Sequence, residues 1–167
     1  MIYSPPQHPQ IRYRPSYTEI ADTNISKRYQ ETEGEMIASR ERSEYVRRKI
    51  AQIEIENRLE QLSSLPANWD SYGSEPPSQL AVSAAAGIAD AFISFGLIPD
   101  TIVPSAEGGI AICFVRNQKY ADIECFNSGD ILAVRYSPNE DPKVWALQPN
   151  AVASDANIHA FSKYLSV

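Results

Sequence analysis

The sequence predicts an α+β fold in which a flexible arm and a long charged helix precede a small domain. Residues 31–65 contain no proline and consist mainly of strong helix formers, whereas residues 101–147 contain short β-branched and aromatic runs separated by turn formers. A length of 167 residues fits one ordinary domain with an appendage. We therefore divide the chain into an arm (1–30), a long helix (31–65) and an α+β domain (66–167).

The predicted arm contains four prolines and four tyrosines and shows no helical or strand period. Tyrosine and arginine often anchor protein interfaces, and a segment stiffened by Pro15 loses less entropy on docking. We therefore predict that the arm binds a partner, with an unstructured tail of no consequence as the alternative. The residues predicted to contact the partner are Arg12, Tyr13, Arg14 and Tyr17.

The first half of the long helix is polar on nearly all sides. A helix of this kind projects into solvent, pairs with another helix or binds a partner. Its apolar residues form a narrow stripe, and Ile55 begins a second phase. A basic cluster indicates a solvated helix, an acidic protein partner or nucleic acid. The apolar stripe comprises Met36, Val46, Ile50, Ile53, Leu59 and Leu62. The basic cluster comprises Arg40, Arg42, Arg47, Arg48 and Lys49. Within the helix, the residues predicted to contact a partner are Arg47, Ile50 and Ile53.

The domain is predicted to be a helix, an antiparallel meander of four or five strands, and a closing helix. Ser78 is a suitable N-cap for a helix at 79–95, and the short turns that follow require antiparallel neighbours. We expect both helices to cover one face of the sheet. The first helix is expected to bury Leu80, Ala84, Ile88, Ala91, Phe92 and Phe95, the strands to lie at 101–104, 110–115, 120–126, 131–136 and 144–147, and the last helix to bury Ile158, Phe161, Tyr164 and Leu165.

A loop rich in turn formers joins the long helix to this domain and contains Asn68, Trp69, Asp70, Tyr72 and Gly73. Followed by two prolines, an alanine-rich helix and a Gly-Gly strand, it resembles a group of small bacterial proteins with an Asn-Trp-Asp-x-Tyr-Gly loop ahead of an α+β domain. The resemblance covers roughly residues 65–147 and implies a shared core domain without implying an activity. From the residues themselves, the two aromatics clamp the loop onto the helix beneath and Asp70 accepts backbone hydrogen bonds, or the loop contacts a ligand.

Charge and cysteine content give further expectations about nucleic-acid binding and about the redox state of the thiols. Residues 1–63 carry equal numbers of basic and acidic residues, so the formal net charge of −6 falls on residues 64–167, which disfavours nucleic-acid binding by the domain. Cys113 and Cys125 lack a nearby metal-ligand pattern and are expected to be reduced core thiols, with a disulfide as the alternative. No signal peptide or apolar run long enough to span a membrane is present, so we predict a cytoplasmic protein.

The sequence contains one candidate set of catalytic residues. Asp100, Asp122 and Glu124 resemble the strand carboxylates of metal-dependent nucleases, but Glu124 stands where a lysine is expected. A solvated strand face is the simpler interpretation, so we assign no catalytic residue, metal or cofactor.

We therefore expect a noncatalytic interaction protein of the antitoxin, immunity, adaptor or phage-defence accessory kind that binds another protein through residues 1–62. The alternatives are a nucleic-acid partner for the helix, a metal-dependent nuclease or related hydrolase, and a homodimer formed through the long helix.

Overall fold

The long helix starts earlier than its composition suggested. The computed structural model describes residues 17–138, 140–148 and 155–166, and only the backbone of residues 17–31 and 155. Helix α1 spans Tyr17–Ser63, so residues 17–30 are helical rather than part of an extended arm. The physical reason is that residues 16–33 contain neither proline nor glycine, the two residues that oppose a helix most strongly, and an established helix extends readily through such a stretch.

The chain comprises two compact units, Met1–Glu44 and Tyr45–Val167. In the first unit, all described side chains, those of residues 32–44, are exposed. Arg40 and Glu44 form an exposed ion pair at 3.7 Å with helical spacing, a contact that contributes roughly 0.3–0.5 kcal/mol. The second unit includes the last part of α1, so compact structure begins before the boundary that we placed at Leu65.

Five antiparallel strands form one sheet in the order β1-β2-β3-β4-β5, which confirms the predicted meander. Between β2 and β3, Asn117 and Gln118 both have positive φ, as in the two-residue turns that match strand twist. The strands are β1 (Thr101–Ser105), β2 (Gly109–Arg116), β3 (Lys119–Phe126), β4 (Ile131–Tyr136) and β5 (Lys143–Leu147).

Two helices, α2 (Gln79–Ser94) and α3 (Asp155–Ser166), pack on one face of the sheet, as predicted. Aromatic contacts join the layers: the ring of Phe92 on α2 lies 5.2 Å from that of Phe114 on β2 and 5.5 Å from that of Phe161 on α3. Ser78 is the N-cap of α2, and its hydroxyl accepts a hydrogen bond from the Ala81 amide. In α3, Ile158, Phe161 and Leu165 are buried and Tyr164 is half-buried.

The predicted apolar face of α2 is partly wrong. Leu80 and Phe95 are 56% and 47% exposed, and the buried face is rotated toward the alanines. Small side chains allow the helix backbone to approach the sheet closely, whereas the larger residues at the helix ends remain near solvent. The buried residues of α2 are Ala81, Ala85, Ile88, Ala89, Phe92 and Ile93.

The two cysteines are free thiols, as expected. Cys113 pairs with Asp122 across the β2–β3 ladder, whereas Cys125 pairs with Ile110, so the two side chains lie on opposite faces of the sheet and cannot approach each other. Burial raises the pKa of both thiols, that of Cys125 to about 12. Both cysteines are therefore unreactive packing residues in the folded protein.

Candidate functional site

The last part of α1 carries two apolar stripes. Ala51, Ile55, Leu59 and Leu62 recur at helical spacing, and all four are buried in the core of the second unit. These residues form the second phase that Ile55 begins in the sequence. The shift of phase predicted at Ile55 is therefore confirmed, and the apolar residues of this part of the helix divide between two sides.

The other stripe comprises Val46, Ile50 and Ile53, which remain 48%, 52% and 57% exposed. At 100° per residue, positions i, i+4 and i+7 share one side of a helix, and this side lies opposite to the buried stripe. The structure thus places the predicted contact residues Ile50 and Ile53 together on the surface and adds Val46 to them. We call these three residues the exposed stripe.

Hydrogen bonds on the buried side fix the rotation of this part of α1. The Arg48 guanidinium donates to the Ser94 carbonyl at 3.2 Å, and the Arg58 Nε donates to the Ile102 carbonyl at 3.0 Å. Each contact joins α1 to a different element of the domain. Because polar contacts and the buried stripe hold the same side inward, the exposed stripe cannot turn into the core without breaking them.

The basic cluster is not a single surface in the second unit. Arg48 reaches back to the domain, whereas the Lys49 ammonium donates to Gln52 at 3.2 Å and Arg47 is exposed beside the exposed stripe. Arg47 and Lys49 are both exposed and lie at helical spacing from Ile50 and Ile53, so both suit a partner that covers the stripe. The predicted contacts Arg12, Tyr13 and Arg14 lie outside the described residues, and only the backbone of Tyr17 is described.

The three carboxylates of the nuclease alternative do not form one site. Asp100 accepts a hydrogen bond from the Val115 amide at 2.7 Å and forms an ion pair with Arg116. Burial raises the pKa of Asp100, but these contacts outweigh it and lower that pKa overall. Within the described part of the chain, no cluster of three His, Cys, Asp or Glu side chains could hold a metal ion.

Asp122 and Glu124 lie side by side on β3, on the face of the sheet opposite to the two helices. The Tyr120 hydroxyl donates to Asp122 Oδ2 at 2.8 Å, and the Ser105 hydroxyl donates to Glu124 Oε1. Burial raises the pKa of Asp122, although the hydrogen bond from Tyr120 opposes this. Burial likewise raises the pKa of Tyr120, so its hydroxyl stays protonated and continues to donate.

The loop after α1 is held by its own polar side chains. Asp70 Oδ1 accepts hydrogen bonds from the backbone amides of Tyr72 at 2.9 Å and Ser74 at 3.3 Å, and Asn68 Oδ1 accepts one from the Gly73 amide at 2.7 Å. The hydrogen bonds from the Ser74 hydroxyl and the Tyr72 amide lower the pKa of Asp70. The prediction that Asp70 accepts backbone hydrogen bonds is therefore confirmed.

The predicted clamp by two aromatics is wrong for Tyr72. Its side chain is 94% exposed, whereas Trp69 is half-buried and its indole N–H donates to the Glu75 carbonyl at 3.4 Å. Tyr72 lies in a tight turn, since its neighbours Ser71 and Gly73 both have positive φ. Tyr72 is therefore available for a contact on the surface of a loop that its own hydrogen bonds hold in place.

Comparison of the chain with protein-family models, with curated proteins and with solved structures gave no match. The resemblance of residues 65–147 to proteins with the Asn-Trp-Asp-x-Tyr-Gly loop therefore stays a prediction. Of the described helices, none is both long and apolar enough to cross a bilayer.

Proposed function

We propose that this chain is a noncatalytic interaction protein that binds a macromolecular partner through its N-terminal arm and α1, in the manner of an antitoxin, immunity, adaptor or phage-defence accessory protein. One observation carries the proposal: Val46, Ile50 and Ile53 form an exposed apolar stripe on a helix that is held in a fixed rotation. Anchors at i, i+4 and i+7 are those by which a helix docks into an apolar groove of another protein.

The exposed stripe is too small to bind by itself. Complete burial of an aliphatic side chain is worth about 1.5–3 kcal/mol, and these three are already half-buried, so covering them yields roughly 2–5 kcal/mol. Micromolar affinity needs about 8 kcal/mol, to which the loss of translational freedom must be added. Further contacts are required, and Arg47 beside the stripe together with the predicted arm residues would supply them. The partner is therefore expected to have an apolar groove with acidic residues at its rim.

The test is affinity purification of the tagged full-length protein from its native host, followed by mass spectrometry. The test variant carries Ile50→Asp and Ile53→Asp, and the matched control carries Leu80→Asp, which charges an exposed aliphatic residue on α2 instead. We expect the wild type and the control to retain a common partner that the double variant loses. Because all three side chains are exposed, the melting temperatures of both variants should lie close to that of the wild type.

Two outcomes would contradict the proposal. If the double variant retained every partner of the wild type, the exposed stripe would have no role in binding. If no partner copurified and light scattering showed a wild-type dimer that the double variant dissociates, the stripe would serve self-association, which is the helix-mediated homodimer alternative. Deletion of residues 1–62 is unsuitable as a test, because it removes the buried stripe from Ala51 to Leu62 and with it part of the core.

A further inference from the structure

The sheet has a second face, here called the open face, that no described helix covers. The register places it opposite to the ring of Phe114, on which α2 and α3 pack. Strand residues on the open face are mainly aliphatic and aromatic, and none of them is a lysine or arginine. Val115, Tyr136 and Val144 on this face are 51%, 44% and 59% exposed. An antiparallel sheet with one solvated face normally alternates apolar and polar residues, so this composition indicates a surface that becomes covered.

Two carboxylates lie at the centre of the open face, on the middle strand. Asp122 lies between Cys113 on β2 and Val134 on β4. Glu124 lies in the next row, between Ala111 and Leu132. Small residues on β2 border the carboxylates on one side, and aliphatic residues on β4 form an apolar border on the other.

The hydrogen bonding of Asp122 is incomplete. Its Oδ2 accepts from the Tyr120 hydroxyl, but its Oδ1 is buried and accepts no hydrogen bond within the described part of the chain. A buried carboxylate oxygen without a donor is costly, and an incoming cationic donor would remove that cost. A second open face would not, because symmetric packing would bring the carboxylates of two copies together in an apolar interface. An occupant that carries positive charge would both donate to this oxygen and balance the two carboxylates.

The chain itself contains a segment with this chemistry. Residues 1–16 include no Asp or Glu, and Arg12 and Arg14 are two positions apart. In an extended chain such residues point to the same side about 6.5–7 Å apart, which is also the spacing of Asp122 and Glu124 along β3. Pro15 favours an extended conformation for Arg14. The aliphatic parts of the two arginine side chains would pack on the border formed by β4, while each guanidinium reached a carboxylate.

We propose that the open face binds residues 11–15 of a second copy of this chain, with Arg12 and Arg14 paired to Asp122 and Glu124. The contact is reciprocal in a symmetric dimer, so each copy gives one segment and receives one. Charge complementarity favours this occupant, since the segment is basic and residues 64–167 carry the net charge of −6. The proposal does not use Ile50 or Ile53, so variants of these two residues test the exposed stripe separately. It assigns Arg12 and Arg14 to a second copy of the chain, so in the dimer these two arginines are not free to contact the partner of the proposed function.

Complementation between two full-length variants tests the proposal. The first variant carries Arg12→Glu and Arg14→Glu, which reverses the charge of the segment and leaves the open face intact. The second carries Asp122→Asn and Glu124→Gln, which neutralises the open face at nearly constant shape and leaves the segment intact. Sedimentation equilibrium between about 10 and 500 μM measures self-association, and circular dichroism checks that each variant is folded.

We expect the wild type to dimerise and each variant alone to dimerise at least about tenfold more weakly. An equimolar mixture of the variants should recover a heterodimer, because it pairs one intact segment with one intact open face. Raising the salt concentration should weaken the wild-type dimer.

A wild-type protein that is monomeric throughout the range would overturn the proposal, as would variants that dimerise as well as the wild type. If the folded variants failed to associate in the mixture, the proposal would also be overturned, because the segment could then contact the open face only within its own chain. A dimer that Ile50→Asp and Ile53→Asp dissociates while both charge variants retain it would assign self-association to the exposed stripe instead.

Discussion

Of the glycine-to-alanine substitutions in this chain, Gly109→Ala should destabilise the domain most. Gly109 begins β2 with φ near +146°, and a Cβ at this position would lie 2.2 Å from the Cys125 carbonyl oxygen and 2.9 Å from the Phe126 Cα. Both atoms belong to the backbone of β3, so no side chain can move aside to relieve the contact.

Steric crowding and backbone strain both contribute to the expected loss of stability. Ordinary contact begins near 3.4 Å, so β2 and β3 must separate by about 1 Å where Gly109 pairs with Phe126. Overpacking costs about 1–3 kcal/mol and an unfavourable φ a further 1–3 kcal/mol. A loss of roughly 2–6 kcal/mol corresponds to a fall in melting temperature of about 10 °C or more for a unit of this size.

Two other glycines provide matched controls for thermal unfolding followed by circular dichroism. Gly73 has φ near +94°, but an added methyl would meet no atom within 4 Å, so alanine there should cost only about 1 kcal/mol of backbone strain. Gly87 lies inside α2 with no close atom, and alanine there should stabilise by about 0.5–1 kcal/mol. If Gly109→Ala melted within about 3 °C of the wild type, the close approach of β2 to β3 at this position would be refuted.

Two further predictions concern carboxylates. Asp70→Ala should lower the melting temperature because three hydrogen bonds that close the loop are lost, whereas Tyr72→Ala should leave it unchanged; equal effects of the two substitutions would argue against a structural role for Asp70. At protein concentrations low enough to dissociate the proposed dimer, Asp122→Asn should stabilise the protein at pH 7, because burial raises the pKa of Asp122 in the folded state above its ordinary value of 3.8, so that stability falls as pH rises through that pKa. The gain should vanish in urea unfolding at about pH 3, where aspartate is protonated in both states, and a gain of the same size at both pH values would contradict this explanation.

The sequence predicted the order and type of the elements well because those features depend on local chemistry. Ser78 capped the expected helix, and the turns at Asn117 and Gly129 fell between the expected strands. The start of α1 was missed because the tyrosines and basic residues of positions 17–30 continue the composition of the preceding arm, although no proline or glycine interrupts the helix there.

The candidate surfaces were only partly predictable. The sequence predicted Ile50, Ile53 and Arg47 as partner contacts, but the division of α1 into a buried and an exposed stripe depends on which side meets the domain. The open face was missed as a surface. Its signal was the apolar run along β2, which places apolar residues on both faces of the sheet, although only one face is covered by the described helices.

By itself, the sequence determined the α+β class, the meander, the α2 cap and the uneven distribution of charge, because propensity, periodicity and composition act over a few residues. Only the tertiary structure decided which residues meet across elements. It assigned Asp100 to Arg116 and left Asp122 and Glu124 together on the open face. Packing removes one side of each helix or strand from solvent, and the side that remains exposed follows from the three-dimensional arrangement of the whole unit.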